Sequence, residues 1–329
     1  MKTFFLDYCK CPYCTGDNSV LKLVDPEYRR QEVFSGKLIC QSGHSFEIKD
    51  YVPDFVDCCS SLPKRSQVYD LLWDAHAKQD YKGRVHEFEN KFQVFAKLPG
   101  RAGDYFKDKV VLDAGCGQGR FSYLASSLGA KHVICADYSQ EALKQAIQST
   151  GNPDNCSFIR ADIMQLPLKR EFDFIFSMGV LHHTPSTKES YFSIARLLKD
   201  GGYVSVYVYG KFTLPLITWP LRIFTLCMPK ERILRICDAC GLSYDPLKTP
   251  VIPIKKVFGS LGRLDFLGLS RLTYEGLTTP YLWEHNLKEL MGWFKDSGVE
   301  VISHTNIISA SGRLKAFSKD NTGISADKT

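Results

Sequence analysis

The chain has 329 residues, 44% hydrophobic and 24% charged, with a formal net charge of +6. That mixture marks a folded globular protein of about two domains and excludes disordered, collagen-like and coiled-coil chains. Twelve cysteines in so long a chain, behind an opening apolar run too short for a signal h-region, exclude a small secreted disulfide scaffold.

Reduced thiols, some of them metal ligands, are therefore expected, in a soluble cytoplasmic protein. Residues 1–57 cluster Cys, Pro and Gly between short apolar runs, as a small hairpin-rich module does. Within it, Cys11-Pro12-Tyr13-Cys14 and Cys40-Gln41-Ser42-Gly43-His44 have zinc-ligand spacing. Cys11, Cys14, Cys40 and His44 form the expected set, with Cys9 as a substitute ligand. Four protein ligands leave no open position, so this Zn(2+) would be structural and would supply folding energy.

Residues 58–65 read as a linker, and helical spacing follows at Val68, Leu71, Leu72 and Ala75. From Val110 onward strands alternate with helices, the pattern of a doubly wound α/β sheet covered on both faces. Strands are predicted at 110–112, 132–136, 157–160, 172–177, 203–209, 299–303 and 313–318. Ser139 is placed to cap one helix and Ser186-x-x-Glu189 opens another that ends at Gly201-Gly202. Asn286-x-x-Glu289 opens the last helix, which Gly298 ends. Residues 320–329 read as a disordered tail.

The most apolar stretch, 214–227, is interrupted by Pro215, Pro220 and Arg222 and is too short to span a membrane. It lies in segment 211–271, where ten basic residues face four acids, so this segment carries the whole net charge. It is part of a basic helical insertion, 211–280. Such a lid can cap an acidic small molecule or saccharide, contact RNA, or rest on a membrane to reach a lipid-linked acceptor. A plainly packed helical insert is the competing reading. Cys237-x-x-Cys240 falls within a helical pattern and reads as core.

The strongest motif is Val110-Val111-Leu112-Asp113-Ala114-Gly115-Cys116-Gly117-Gln118-Gly119, a strand running through Gly-x-Gly-x-Gly into a helix. Asp137 ends the second strand, where a carboxylate can accept from both ribose hydroxyls. Asp162 follows the third, placed for an adenine amino group. His182 and His183 follow the fourth. One of them can orient or deprotonate an acceptor, and packing of their loop is the competing role. Cys116 reads as a small packed residue.

These motifs resemble the class I S-adenosylmethionine-dependent methyltransferases over about residues 105–210. The likeness includes Ala136-Asp137-Tyr138-Ser139, Ala161-Asp162, Leu166-Pro167, Gly179-Val180-Leu181-His182-His183-Thr184 and Leu197 to Gly202. It implies a seven-stranded sheet that binds S-adenosyl-L-methionine through Asp113, Gly115, Gly117, Gly119, Asp137, Tyr138, Asp162, Ile163 and Ser177. The Gly-x-Gly-x-Gly spacing departs from the dinucleotide fingerprint and argues against an NAD enzyme. The absence of Asn/Asp-Pro-Pro-Tyr after the fourth strand weighs against amino methylation of nucleobases.

The cysteine module resembles the zinc ribbon of bacterial ribosomal-RNA guanine-N1 methyltransferases over about residues 9–55. Segment 281–285 (Tyr-Leu-Trp-Glu-His) resembles an acceptor-side loop of envelope- and natural-product-pathway methyltransferases. Tyr69, Trp73 and His76 can close the cofactor cleft opposite. The function expected is methyl transfer to oxygen or nitrogen of a small-molecule, saccharide or lipid-linked acceptor, within a domain spanning 66–319. An RNA base methyltransferase and a non-catalytic cofactor-binding subunit are the alternatives.

Overall fold

In the computed structural model, the described residues are 1–56, 69–71, 73, 80–210, 222–239 (backbone alone at 237–239), 277–305 and 308–315. The expected linker 58–65, His76, most of insertion 211–280, Cys240 and the tail 320–329 lie outside them.

The N-terminal module starts with a single helical turn, α1 (Phe5–Tyr8), and continues as four antiparallel strands: β1 (Leu21–Arg29), β2 (Glu32–Cys40), β3 (Ser45–Lys49) and β4 (Val52–Pro53). Arg30 and Gln31 form the two-residue β1–β2 turn, both with positive φ, which matches the strands' twist. The module is joined to the rest by backbone pairing at two places. Cys9 pairs with Leu168, and Asp54 with Arg160. Phe5, Leu38, Phe46 and Phe55 share one apolar core with Ile159, Leu166 and Leu168. A module this small buries little by itself, so a common core adds stability.

Helices α2 (Val85–Ala96) and α3 (Ala102–Phe106) precede the large sheet. Its strands are β5 (Val110–Ala114), β6 (His132–Asp137), β7 (Cys156–Arg160), β8 (Phe172–Met178), β9 (Leu198–Tyr207), β10 (Val299–Thr305) and β11 (Ser309–Leu314). They lie in the order β10-β11-β9-β8-β5-β6-β7. Strands β5 to β9 are parallel, and β11 runs antiparallel to both its neighbours, β9 and β10. Alternation along each strand sends side chains to opposite faces. Leu112 and Ile175 enter the core shared with the N-terminal module, whereas Val111, Phe174 and Phe176 pack with Phe88, Phe92 and Phe106 on the other face. The sheet is thus a seven-stranded doubly wound α/β sheet, as expected.

Helices α4 (Arg120–Ser127), α5 (Gln140–Thr150), α6 (Thr187–Ala195), α7 (Lys230–Ala239) and α8 (Leu287–Asp296) follow in the chain. Ser139, Ser186 and Asn286 cap α5, α6 and α8 by accepting backbone N–H bonds at 3.1, 3.2 and 2.9 Å. Two expectations are corrected. Helix α6 stops at Ala195 rather than at Gly201, because Leu198 already pairs with Phe172 and β9 begins there. The last strand is Ser309–Leu314 rather than 313–318, because Ser309 already pairs with Thr305. No helix among the described residues is long and apolar enough to cross a membrane.

Candidate cofactor cleft and metal centre

The glycine loop leaves β5 at the carboxyl end of the parallel strands, next to the ends of β6 and β8. Gly115, Gly117 and Gly119 all take positive φ, 88°, 51° and 78°. At Gly115 the need for glycine is steric as well, since a Cβ there would lie 2.4 Å from Val180 Cγ1. The Gly115 and Cys116 amides donate to the Ala136 carbonyl at 2.8 and 3.0 Å, bending the loop over the end of β6.

The carboxylate of Asp137 accepts from the Gly117 amide at 2.8 Å and the Ser139 amide at 2.9 Å. Burial pushes its carboxyl up, against the pull of these amides. Asp113 lies buried behind the loop and accepts from the Ser122 hydroxyl of α4 at 2.6 Å. Burial raises Asp113 to about 7 despite that bond. The buried Ser177 hydroxyl donates to the Ala114 carbonyl at 2.7 Å. Asp162 caps the short turn Ile163–Gln165, accepting from the Met164 amide at 2.9 Å. Cys116 is buried and its thiol pushed well up, as for a packed residue.

Trp73 covers the loop, its ring 3.2 Å from where a Cβ on Gly117 would lie. The Trp73 carbonyl accepts from Gln145, which in turn accepts from Gln118 at 2.6 Å. Asp70 accepts from the Ser139 hydroxyl at 2.5 Å. The segment carrying Tyr69 and Trp73 thus lies across the cleft.

Across the carboxyl ends of β8 and β9 stands an aromatic group. His182 is fully buried, its ring 3.8 Å from that of Tyr209 and 4.1 Å from that of His183. His183 is half-buried, donates through Nδ1 to the Tyr281 carbonyl at 3.2 Å and meets Tyr69 edge-on at 6.1 Å. The Trp283 amide donates to the His182 carbonyl at 3.0 Å and its indole N–H to the Thr184 carbonyl at 2.9 Å. Segment 281–285 is thereby brought onto the histidine turn. Arg222 donates to the Thr279 carbonyl at 2.9 Å; burial lowers its pKa, and the nearby Tyr69 phenol opposes this.

In the N-terminal module, ligand atoms of Cys11, Cys14, Cys40 and His44 all lie within 4.8 Å of one another. A tetrahedral zinc ion needs S···S separations of about 3.8 Å and S···N of about 3.6 Å. Cys14 and Cys40 Sγ are 3.8 Å apart, and His44 Nδ1 stands 3.3 to 3.7 Å from the three sulfurs. Burial pushes the Cys11 thiol up to about 12. For Cys40 burial is outweighed by hydrogen bonds from His44 and the neighbouring thiols, and its pKa falls to about 7. Cys9 is corrected as a substitute ligand: its thiol points to the Leu6 carbonyl at 3.7 Å and it stands outside the cluster.

Residue patterns did not single out Arg160, Asp54 or Tyr209. The one available signal was a charged residue, Arg160, between Ile159 and Ala161 at a buried strand end.

Residues 112–206 match the family described as "Methyltransferase domain". Among curated relatives, the tRNA U34 carboxymethyltransferase of Tolumonas auensis is 36% identical over 99 residues, 29% of this chain and 30% of its own length. The sterol 24-C-methyltransferase of Pneumocystis carinii is 33% identical over 103 residues, 30% and 27% of the two chains. The chain thus spans less than a third of the length of either relative. Among solved structures, a chain of the complex between the Haloferax volcanii Trm112 methyltransferase activator and a methyltransferase superposes with a TM-score of 0.43. It is 15% identical and covers 75% of this chain and 97% of its own. Residues 112–206 are thus similar to a methyltransferase domain.

Proposed function

We propose that the protein is a cytoplasmic methyltransferase that moves a methyl group from S-adenosylmethionine to an oxygen or nitrogen of a small-molecule, saccharide or lipid-linked acceptor. The observation that supports this most is the glycine loop 115–119 pinned to the Asp137 carboxylate inside the matched region. In this reading a zinc-ribbon-like module occupies 1–57 and a catalytic domain 66–319, bearing the insertion 211–280.

In this reading the backbone at Gly115, Gly117 and Gly119 admits the methionine part of the cofactor. Asp137 accepts from the ribose hydroxyls with the lone pairs its two amides leave over, since a carboxylate has about four acceptor sites. Tyr138, Asp162 and Ile163 flank the adenine. Asp113 and Ser177 act from behind, holding α4 and Ala114 so that the loop is set before binding.

The bound sulfonium supplies an already electrophilic methyl group. The chain's task is then alignment of the acceptor, with a base where a proton must leave. His183, the more accessible histidine, orients or deprotonates the acceptor, while His182 holds the turn against Tyr209. The half-buried Arg222 near Tyr69 suits an acceptor that carries an acidic group.

Zinc is the ion proposed for Cys11, Cys14, Cys40 and His44, in a structural role. A second reading, an RNA base as acceptor, is supported by the tRNA-modifying relative and the basic insertion. Transfer of labelled methyl into total RNA, compared with small-molecule and lipid extracts, separates the two. Label in RNA alone sinks the first.

A further inference from the structure

Asp54 follows the last strand of the ribbon, and two bonds orient it. Its amide donates to the Glu47 carbonyl at 2.8 Å, and its Oδ1 accepts from the Val56 amide at 2.9 Å. The other oxygen, Oδ2, accepts from Arg160 Nη1 at 2.7 Å. Both side chains are almost wholly buried, 7% and 11% exposed, so the pair is shielded from water and from salt. Next to it the Phe55 amide donates to the Arg160 carbonyl at 2.9 Å.

Arg160 is the last residue of β7, and its strand register places it beside Asp137. Its guanidinium works in two directions. While Nη1 holds Asp54, Nε–H donates to the Tyr138 carbonyl at 3.1 Å. That carbonyl belongs to the residue directly after the carboxylate that carries the Gly117 and Ser139 amides. A planar guanidinium fixes the angle between its donors, so holding one partner aims the other. An ion pair that served only to dock the ribbon would have no need of the second bond.

The ribbon end of this arm is itself braced towards the metal residues. Phe55 packs on Phe46 at 4.7 Å, Phe46 on Tyr13 at 6.1 Å, and Tyr13 on His44 at 5.3 Å.

The geometry points to Asp54 and Arg160 as positioning residues for the cofactor, through which the ribbon sets the turn 137–139 and so the affinity for S-adenosylmethionine. This rests on the cofactor assignment above. Neither residue touches the cofactor; both act through the backbone that carries Asp137. The ribbon is therefore part of the cofactor site's support.

The test is calorimetric titration of the zinc-loaded full chain with S-adenosylhomocysteine. The variants are Asp54→Asn, Arg160→Lys and the two combined. Tyr191→Phe is the control, losing its bond to Ser297 in a place packed on Phe294. Each single variant is expected to bind about tenfold more weakly, the scale of a hydrogen bond to a charged group. The combined variant should be no weaker than the worse single one, because both act through one arm. The control, even if it melts earlier, should bind as the unaltered chain does.

Should Asp54→Asn fail to fold, Arg160→Lys keeps the charge and loses the aimed Nε–H, and decides the matter alone. Binding by a folded Arg160→Lys chain equal to that of the unaltered chain overturns the proposal, as do two additive losses. If the unaltered chain binds no S-adenosylhomocysteine, the cofactor assignment itself fails, a separate outcome.

Discussion

The Ser122 hydroxyl, in the first turn of the helix after the glycine loop, donates a 2.6 Å hydrogen bond to the buried carboxyl of Asp113 on the strand before it. The bond closes the loop from behind and leaves an ionisable group in the core with one side-chain donor. Burial raises Asp113 from 3.8 to about 7.

The pH dependence of stability follows from that shift. A carboxyl whose folded-state pKa is raised favours folding while both states are protonated, below about pH 4. The contribution is lost as pH rises towards 7 and is flat beyond. Urea denaturation at pH 5 and pH 8 should show roughly 2–3 kcal/mol of this loss in the unaltered chain. Asp113→Asn should abolish it. Equal pH responses of the two chains would mean that Asp113 ionises normally.

Gly115 tests the loop sterically. Gly115→Ala places a Cβ against Val180 and keeps a left-handed backbone, a cost of about 2–4 kcal/mol. Adding Val180→Ala should return the steric part but not the backbone part. If the double variant is no more stable than Gly115→Ala, the contact with Val180 is not what demands glycine.

The metal centre predicts about one zinc per chain by mass spectrometry, lost in Cys11→Ser. Because the ribbon shares its core with Ile159, Leu166 and Leu168, chelation should lower the melting temperature of the whole chain by about 5 °C or more. Zinc content unchanged in Cys11→Ser would remove Cys11 from the site.

The two histidines should separate kinetically. His183→Ala is expected to lower kcat about a hundredfold while S-adenosylhomocysteine affinity stays within about threefold. His182→Ala, which empties a fully buried place against Tyr209, should mainly lower stability. Turnover unaffected in His183→Ala rules it out as the acceptor-side group.

The sheet and the cleft differed in how plainly they could be read from residue order. Local signals translated directly: Ser139, Ser186 and Asn286 cap their helices, and Cys11, Cys14, Cys40 and His44 converge as their spacing implies. Strand β11 escaped because it is built from small residues. Gly312 has no room for a Cβ, with Glu300 O and Val299 Cγ1 both 2.6 Å from that position, and Ser311 spends its hydroxyl on the Ala96 carbonyl. Such a strand shows no apolar alternation. The Asp54–Arg160 pair was invisible for another reason: its partners stand 106 positions apart, and nothing local to either names the other. Which residues flank the cleft was legible, whereas what holds them there depends on contacts distant in the chain.

The most direct test of the account is titration of the chain with S-adenosylhomocysteine, unaltered and as Asp137→Ala. The loop is pinned to that carboxylate, so the account predicts saturable binding at one site per chain and none detectable in the variant. Binding of equal strength by Asp137→Ala, or no binding by the unaltered chain, would contradict it.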